Sequence, residues 1–211
     1  METRLISQTD LAGGHPALDF VNTVGGLLDG PVLPEDELMR EYDDLVDYGL
    51  QAGTVSERQA RRLRRRAKEH PRQADAALAL AFDTRKLVDS AFRPLAEGGA
   101  SPPDVLEGLA RRGADALTHA RLVPAGNGGY AWSWEHADEL EAPLWPVAHT
   151  ALELLTEGPL DRLKGCGRCR WLFLDTTKNR SRRWCSMEEC GTHTKIERYV
   201  ERRRERRAKR S

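Results

Sequence analysis

Apolar residues recur at helical spacing through most of the first 160 positions of the chain. Between residues 35 and 50, Leu38, Tyr42, Leu45, Val46 and Leu50 fall on one helical face, with Gly53 as a stop. Ser56-Glu-Arg-Gln59 has the form of a capping box opening a strongly basic helix to about residue 69. After Pro71, the residues Leu78, Ala81, Phe82, Arg85, Val88, Phe92 and Leu95 trace the clearest core helix, ended by Gly98-Gly99. Ser101 then reads as the N-cap of a further helix, with Pro102 in its first position. Leu144, Val147, Ala148, Ala151, Leu152 and Leu155 form another stripe, on a helix begun by Pro143 and Pro146. Two segments break this rhythm. Residues 15–24 are a short apolar run interrupted by Asp19, Asn22 and Thr23, and fit a helical turn or a short strand equally well. Residues 119–123 and 129–135 flank Gly126-Asn-Gly-Gly129, which predicts a hairpin with Trp132 and Trp134 on one face. The pattern predicts a mainly α fold: a helical N-terminal domain over residues 1–157 with a small β-hairpin, and a second module over residues 160–211 beyond Gly158-Pro159.

That second module is too small to build a sufficient core alone. It contains all four cysteines of the chain, as Cys166-Gly-Arg-Cys169 and Cys185-Ser-Met-Glu-Glu-Cys190, with 15 residues between the pairs. Two short knuckles at this spacing bring four thiolates to one tetrahedral metal site. The two separated pairs favour zinc over an iron–sulfur cluster, which needs a compact cysteine run of ferredoxin type. Four thiolates leave no open position, so one Zn2+ in a structural role is expected at Cys166, Cys169, Cys185 and Cys190. His193 is a rival ligand, and also a side chain placed to face phosphate from a helix start.

Charge divides the chain at the same place. Residues 162–211 hold 17 of the 33 Lys and Arg but 6 of the 33 Asp and Glu, a net of +11, which leaves −11 on residues 1–161. The formal net charge of zero conceals this polarity. Between the knuckles, Trp171, Phe173 and Trp184 suit a β-ribbon resting on the metal, with Lys178, Arg180, Arg182 and Arg183 crowding its turn. Beyond Cys190, Ile196, Tyr199 and Val200 form a brief apolar edge expected to pack the first two turns of a basic helix. A rigid cationic surface of this kind binds phosphate backbones. The predicted nucleic-acid face comprises Lys178, Arg180, Arg182, Arg183, His193, Lys195, Arg198, Arg202 and Arg203. Duplex DNA is the first partner expected; RNA or the ribosome fits the same charges, as does an acidic protein engaged by an adaptor. The basic helix at residues 61–68 reads as a charge partner for its acidic surroundings instead.

Residues 1–30 lack a secretory signal pattern and no apolar stretch is long enough to span a bilayer, so a cytoplasmic protein with reduced thiols and no membrane contact is expected. No nucleophile elbow, Gly-rich phosphate loop or distinct carboxylate pair marks an enzyme. For a small-molecule effector, the candidates are His15, Asp19, Asn22, Thr23 and Trp145; capping and turn hydrogen bonding is the alternative role for Asp, Asn and Thr.

The segments Cys166-x2-Cys169-x-Trp-Leu-Phe-Leu-Asp175, Arg182-Arg-Trp-Cys-Ser-Met187 and Cys190-Gly191-x-x-x-Lys195 resemble the CGNR-type zinc finger. Leu18-Asp-Phe-Val-Asn-Thr23 and Pro143-Leu-Trp-Pro-Val-Ala148 resemble the ABATE domain that precedes that finger in bacterial proteins. The resemblance spans essentially the whole chain. It implies a predominantly helical regulatory or ligand-sensing domain, a DNA-binding zinc module and a role in stress-responsive transcription. One departure stands out: the signature Asn-Arg after Cys190-Gly191 is Thr192-His193 here, which removes an arginine contact and substitutes a side chain that titrates near neutral pH.

Overall fold

The computed structural model describes residues 6, 9–126 and 128–208. Asn127 of the hairpin turn and the end of the basic tail at residues 209–211 lie outside the described residues. The apolar run at residues 15–24 resolves into a helix, α1 (Pro16–Val21), in which five consecutive residues, Ala17 to Val21, are buried. Helices α2 (Tyr42–Gln51), α3 (Glu57–Glu69), α4 (Pro71–Ala96), α5 (Pro103–Thr118) and α6 (Leu144–Glu157) complete the helical part. The hairpin β1 (Arg121–Pro124) and β2 (Tyr130–Ser133) joins α5 to α6 with Leu122 opposite Trp132. Among the described residues, no helix is long and apolar enough to cross a membrane.

Local detail departs from expectation where tertiary contacts compete for the same groups. Ser56 caps α3 through the Gln59 N–H, but Gln59 does not complete the box: its amide donates to the Trp134 carbonyl at 2.8 Å, anchoring the hairpin exit. Ser101 is not the cap of α5; its hydroxyl donates to the Ala91 carbonyl, and Pro102 takes the cap position. In α4 the buried line is Ala74, Ala77, Ala81, Thr84, Val88 and Ala91 with Phe92. Small residues at alternating spacings of three and four let α1 and α2 approach closely. The bulkier Leu78, Phe82 and Leu95 flank the seam, half-buried. Trp132 and Trp134 also part company. Strand β2 ends at Ser133; Trp134 plunges inward, donating its indole N–H to the Ala116 carbonyl at 2.7 Å, while Trp132 remains 42% exposed.

Past α6 the chain forms a short ribbon, β3 (Leu163–Gly165) paired antiparallel with β4 (Leu172–Leu174), and ends in α7 (Thr192–Ala208). The ribbon therefore precedes the position expected for it. Its connection is the first cysteine knuckle, and residues 175–184 form a loop without strand structure. The cause lies in β4, which is buried on both faces. Leu172 and Leu174 enter a core cluster with Val21, Val88, Phe92, Leu109, Leu154 and Leu163, while Phe173 packs against the cysteines with Trp171. The zinc module thus shares its core with α1, α4, α5 and α6. Helix α7 behaves differently again: none of its residues is buried, and Ile196, Tyr199 and Val200 are 54, 55 and 40% exposed, so the expected packing of its first turns does not form.

Candidate metal centre and cationic face

Cys166 and Cys169 bracket the tight connection of the β3–β4 ribbon, closed by a hydrogen bond from the Cys166 N–H to the Trp171 carbonyl at 2.9 Å. Cys185 precedes, and Cys190 lies within, a single turn of π-helix (Met187–Gly191) that Ser186 caps by accepting from the Glu189 N–H. The two knuckles are tied together by the Gly167 N–H donating to the Arg183 carbonyl at 2.9 Å. The four sulfurs lie within 4.8 Å of one another, with Cys169–Cys185 at 3.5 Å and Cys185–Cys190 at 3.6 Å. A tetrahedron with metal–sulfur bonds of ~2.3 Å has edges of ~3.8 Å, so the donor set is pre-formed for one structural zinc. Among the described residues His193 does not join the cluster. Such crowded sulfurs cannot titrate independently: hydrogen bonding by the Cys169 thiol, then by Cys185 and Cys190, holds Cys166 far below its ordinary value, while hydrogen bonding with Cys166 pushes Cys185 far up. A dication at the centre resolves that conflict by holding all four as thiolates.

The N-terminal segment embraces the first knuckle. The Leu28 N–H donates to the Arg168 carbonyl, the Arg170 N–H donates to the Gly26 carbonyl, and the Trp171 indole donates to the Val24 carbonyl at 3.0 Å. Asn22 completes the grip. Its Nδ2 donates to the Leu172 carbonyl at 2.8 Å and its Oδ1 accepts from the Leu172 N–H at 2.9 Å, so one amide side chain acts as a neighbouring strand to β4. Asn22 was expected among the effector ligands; both its polar ends are committed to backbone.

The other residues of that group do not converge with it. His15 caps α1, accepting from the Ala17 N–H, and its burial lowers its pKa against an opposing pull from Glu153. Asp19 accepts from the Gly13 N–H at 2.7 Å; burial pushes its pKa up to about 6, with hydrogen bonds from the Gly13 and His15 backbone in partial opposition. Thr23 donates to the Phe20 carbonyl and accepts from Arg85, which is itself paired with Glu37 at 2.5 Å. Trp145 sits in a separate cluster, stacked on His119 at 4.0 Å between ring centroids.

The basic loop after β4 is organised by Asp175, a residue whose role the spacing of charges does not announce. Its side chain is fully buried and accepts from Lys164 Nζ at 2.7 Å, the Thr177 N–H and hydroxyl at 2.9 and 2.6 Å, and the Arg182 N–H at 2.9 Å. Burial alone would raise its pKa, but these donors outweigh it and hold the carboxyl well below the usual range. The run Asp175-Thr-Thr177 is the pattern of an Asx turn, the one local signal that could have revealed it. Lys164 carries no comparable signal, yet it also reaches the Arg180 and Arg182 carbonyls and so closes the loop.

Within the predicted nucleic-acid face, the side chains divide by role. Arg182 turns inward, lying 4.5 Å above the Phe173 ring and donating to the carbonyls of Trp184 and Cys185, so it supports the zinc knuckle instead of offering its charge outward. Arg180, held in the left-handed region at φ 50°, pairs with Asp161 at 2.5 Å. Lys178 and Arg183 are exposed, and Arg183 lies 5.9 Å from the Trp184 ring. His193, Lys195, Arg198, Arg202 and Arg203 are exposed on α7, whose orientation is pinned by a 2.5 Å ion pair between Arg168 of the first knuckle and Glu197. Among the described residues, none of Lys178, Arg183, Lys195, Arg198, Arg202 and Arg203 pairs with a carboxylate. The basic helix α3, by contrast, meets part of its charge at home: Arg61 lies near Glu57, Arg62 faces Glu135 and Asp138, and Arg64 meets Asp47.

Two family models match the chain. The CGNR zinc finger model covers residues 162–203. The ABATE model, described as "Putative stress-induced transcription regulator", covers residues 14–158. No curated protein sequence matches.

Proposed function

The chain belongs to the ABATE family and carries a CGNR zinc finger, and from that premise we propose that it is a cytoplasmic DNA-binding transcription regulator without catalytic activity. The observation that carries the proposal is the set of unpaired cations on one zinc-organised unit. Lys178 and Arg183 project from the loop that Asp175 and Lys164 brace, and Lys195, Arg198, Arg202 and Arg203 project from α7, none of them paired with a carboxylate among the described residues. A fixed array of about six cations docks on phosphates by counterion release. The exposed Ile196, Tyr199 and Val200 beside them give α7 an apolar edge suited to thymine methyls and sugar faces, which a purely solvated helix has no use for. The helical part is then the regulatory domain, and its effector need not touch the five residues singled out from sequence.

Fluorescence anisotropy with labelled duplex DNA tests this reading across a salt series. Binding should weaken steeply with salt, and the double variant K178E/R183E should weaken it further while flattening the log–log slope by about 2, one for each phosphate no longer neutralised. Affinity that ignores salt, or a stronger preference for structured RNA of equal length, would overturn it in favour of an adaptor or an RNA-associated protein respectively.

A further inference from the structure

A cleft flanking the helical part lies away from the zinc, between strand β2, the start of α3 and the outer face of α6. Its volume is about 680 Å³, within the range of small-molecule sites. Three features of its lining point the same way. Tyr130 and Trp132 stand 74 and 42% exposed on a two-stranded hairpin, where solvent-facing positions are ordinarily polar. Deeper in, the His149 ring lies 5.5 Å from the Trp134 ring and 6.4 Å from Trp132, which meets it edge-on at 81°. Among the described residues, the walls carry the carboxylates of Glu135 and Glu153 and no Lys or Arg, although Lys and Arg make up 33 of the chain's 211 residues.

The carboxylates are not equivalent. Glu135 already faces Arg62 across 3.7 Å, whereas Glu153 meets His149 at 3.5 Å and acts on His15 from farther off, with no Lys or Arg paired to it among the described residues and its side chain 54% exposed. We propose that this cleft binds an organic cation bearing an apolar group, its charge seated over the Trp132 face and balanced by Glu153. Aromatic faces attract a cation within ~6 Å of the ring centroid, and a carboxylate at the rim adds direct charge complementarity. Tyr130, at the open end, covers the apolar portion. An anion would meet two carboxylates and the negative faces of the rings, and an uncharged ligand would forgo both attractions.

The proposal concerns a site remote from the cationic face, and its test uses no nucleic acid, so it stands or falls apart from the DNA-binding reading. The intact, zinc-loaded protein is titrated with benzyltrimethylammonium, benzyl alcohol and benzoate by calorimetry, with indole fluorescence followed in parallel. The cation should saturate and quench indole emission; benzyl alcohol and benzoate should bind at least about tenfold more weakly. Trp132→Ala and Glu153→Gln, both at exposed positions and each checked by its melting curve, should weaken the cation at least about tenfold. No saturable binding of the cation, equal affinity for benzyl alcohol, or undiminished binding by either variant overturns the assignment.

Discussion

Replacing Asn22 with alanine should loosen the joint between the helical part and the zinc ribbon. Asn22 is 3% exposed, and its two ends satisfy both backbone groups of Leu172, a residue with no exposed surface. The variant leaves that N–H and that carbonyl without partners in an apolar setting. A stranded buried polar group costs ~1–3 kcal/mol, which for the two groups puts the expected loss at about 2–6 kcal/mol. Water entering the space left by the amide would bring the loss toward the lower bound. Asn22→Asp keeps the shape and the acceptor but turns a carboxylate oxygen toward the Leu172 carbonyl, so it should be no milder. Denaturant melts of the zinc-loaded protein read the stability, and the rate at which a strong chelator strips zinc reads the effect on the ribbon. Chelation should accelerate in both variants, because β4 lies between Asn22 and the knuckle that holds Cys166 and Cys169. A loss below about 0.5 kcal/mol, the size of an ordinary surface change, would refute the reasoning and return Asn22 to the role of an effector ligand.

Cys169→Ser should abolish stoichiometric zinc in the purified protein, and full retention would sink the assignment. Because Leu163, Leu172 and Leu174 belong to the helical core, calorimetry of the zinc-loaded chain should show one cooperative transition that moves down on chelation; two separated transitions would contradict the shared core. Neighbouring arginines should separate cleanly: Arg182→Ala costs about 1–3 kcal/mol of stability by removing the hydrogen bonds to the Trp184 and Cys185 carbonyls, while Arg183→Ala stays within about 0.5 kcal/mol yet weakens DNA binding in an anisotropy titration. Asp19, with a folded pKa of about 6 against 3.8 unfolded, takes up its proton more readily when folded, so its contribution to stability rises as pH falls. Between pH 7 and pH 5 that gain is about 1.4 kcal/mol. His15, lowered by burial, works in the opposite direction, so the measurement is the difference between wild type and Asp19→Asn across this window. An identical pH profile for the two proteins would exclude Asp19 as the source.

What the sequence disclosed follows the range of the interactions concerned. The zinc ligands were legible because a tetrahedral thiolate site imposes short spacings within each knuckle, and helices α3, α4 and α6 because burial of one face imposes a period of about 3.6 residues. Errors arose where a local rule lost to a distant partner. Gln59 left its capping box for Trp134, 75 residues away, and Ser101 left its cap for Ala91. Periodicity weighted by bulk found the seam of α4 only in part: it placed Ala81, Val88 and Phe92 there but passed over Ala74, Ala77 and Ala91, since a line of alanines is the closer contact surface but the weaker hydrophobic signal. The same limit explains Asn22: a bond across 150 residues leaves no trace in the spacing around either partner.

The charge split at residue 161 invited a division into two independent modules, and the two family matches meet at nearly the same point, between residues 158 and 162. The core does not divide there. Charge records which surfaces face solvent, whereas β4 is a strand without an exposed face: Leu172 and Leu174 belong to the helices and Phe173 to the cysteines. A segment of some 50 residues has too little apolar surface to fold unaided, and zinc is one remedy for that deficit. Lending half a ribbon to a neighbouring core is another, and this chain uses both. The consequence is mechanical. A displacement of α1 or α4 is expected to reach β4 and, through Asn22 and the Arg93 bond to the Arg170 carbonyl at 2.8 Å, the knuckle whose Arg168 pairs with Glu197 of α7. The contacts from helical core to cationic helix therefore run through packed atoms, paired backbone and, last, the Arg168–Glu197 ion pair.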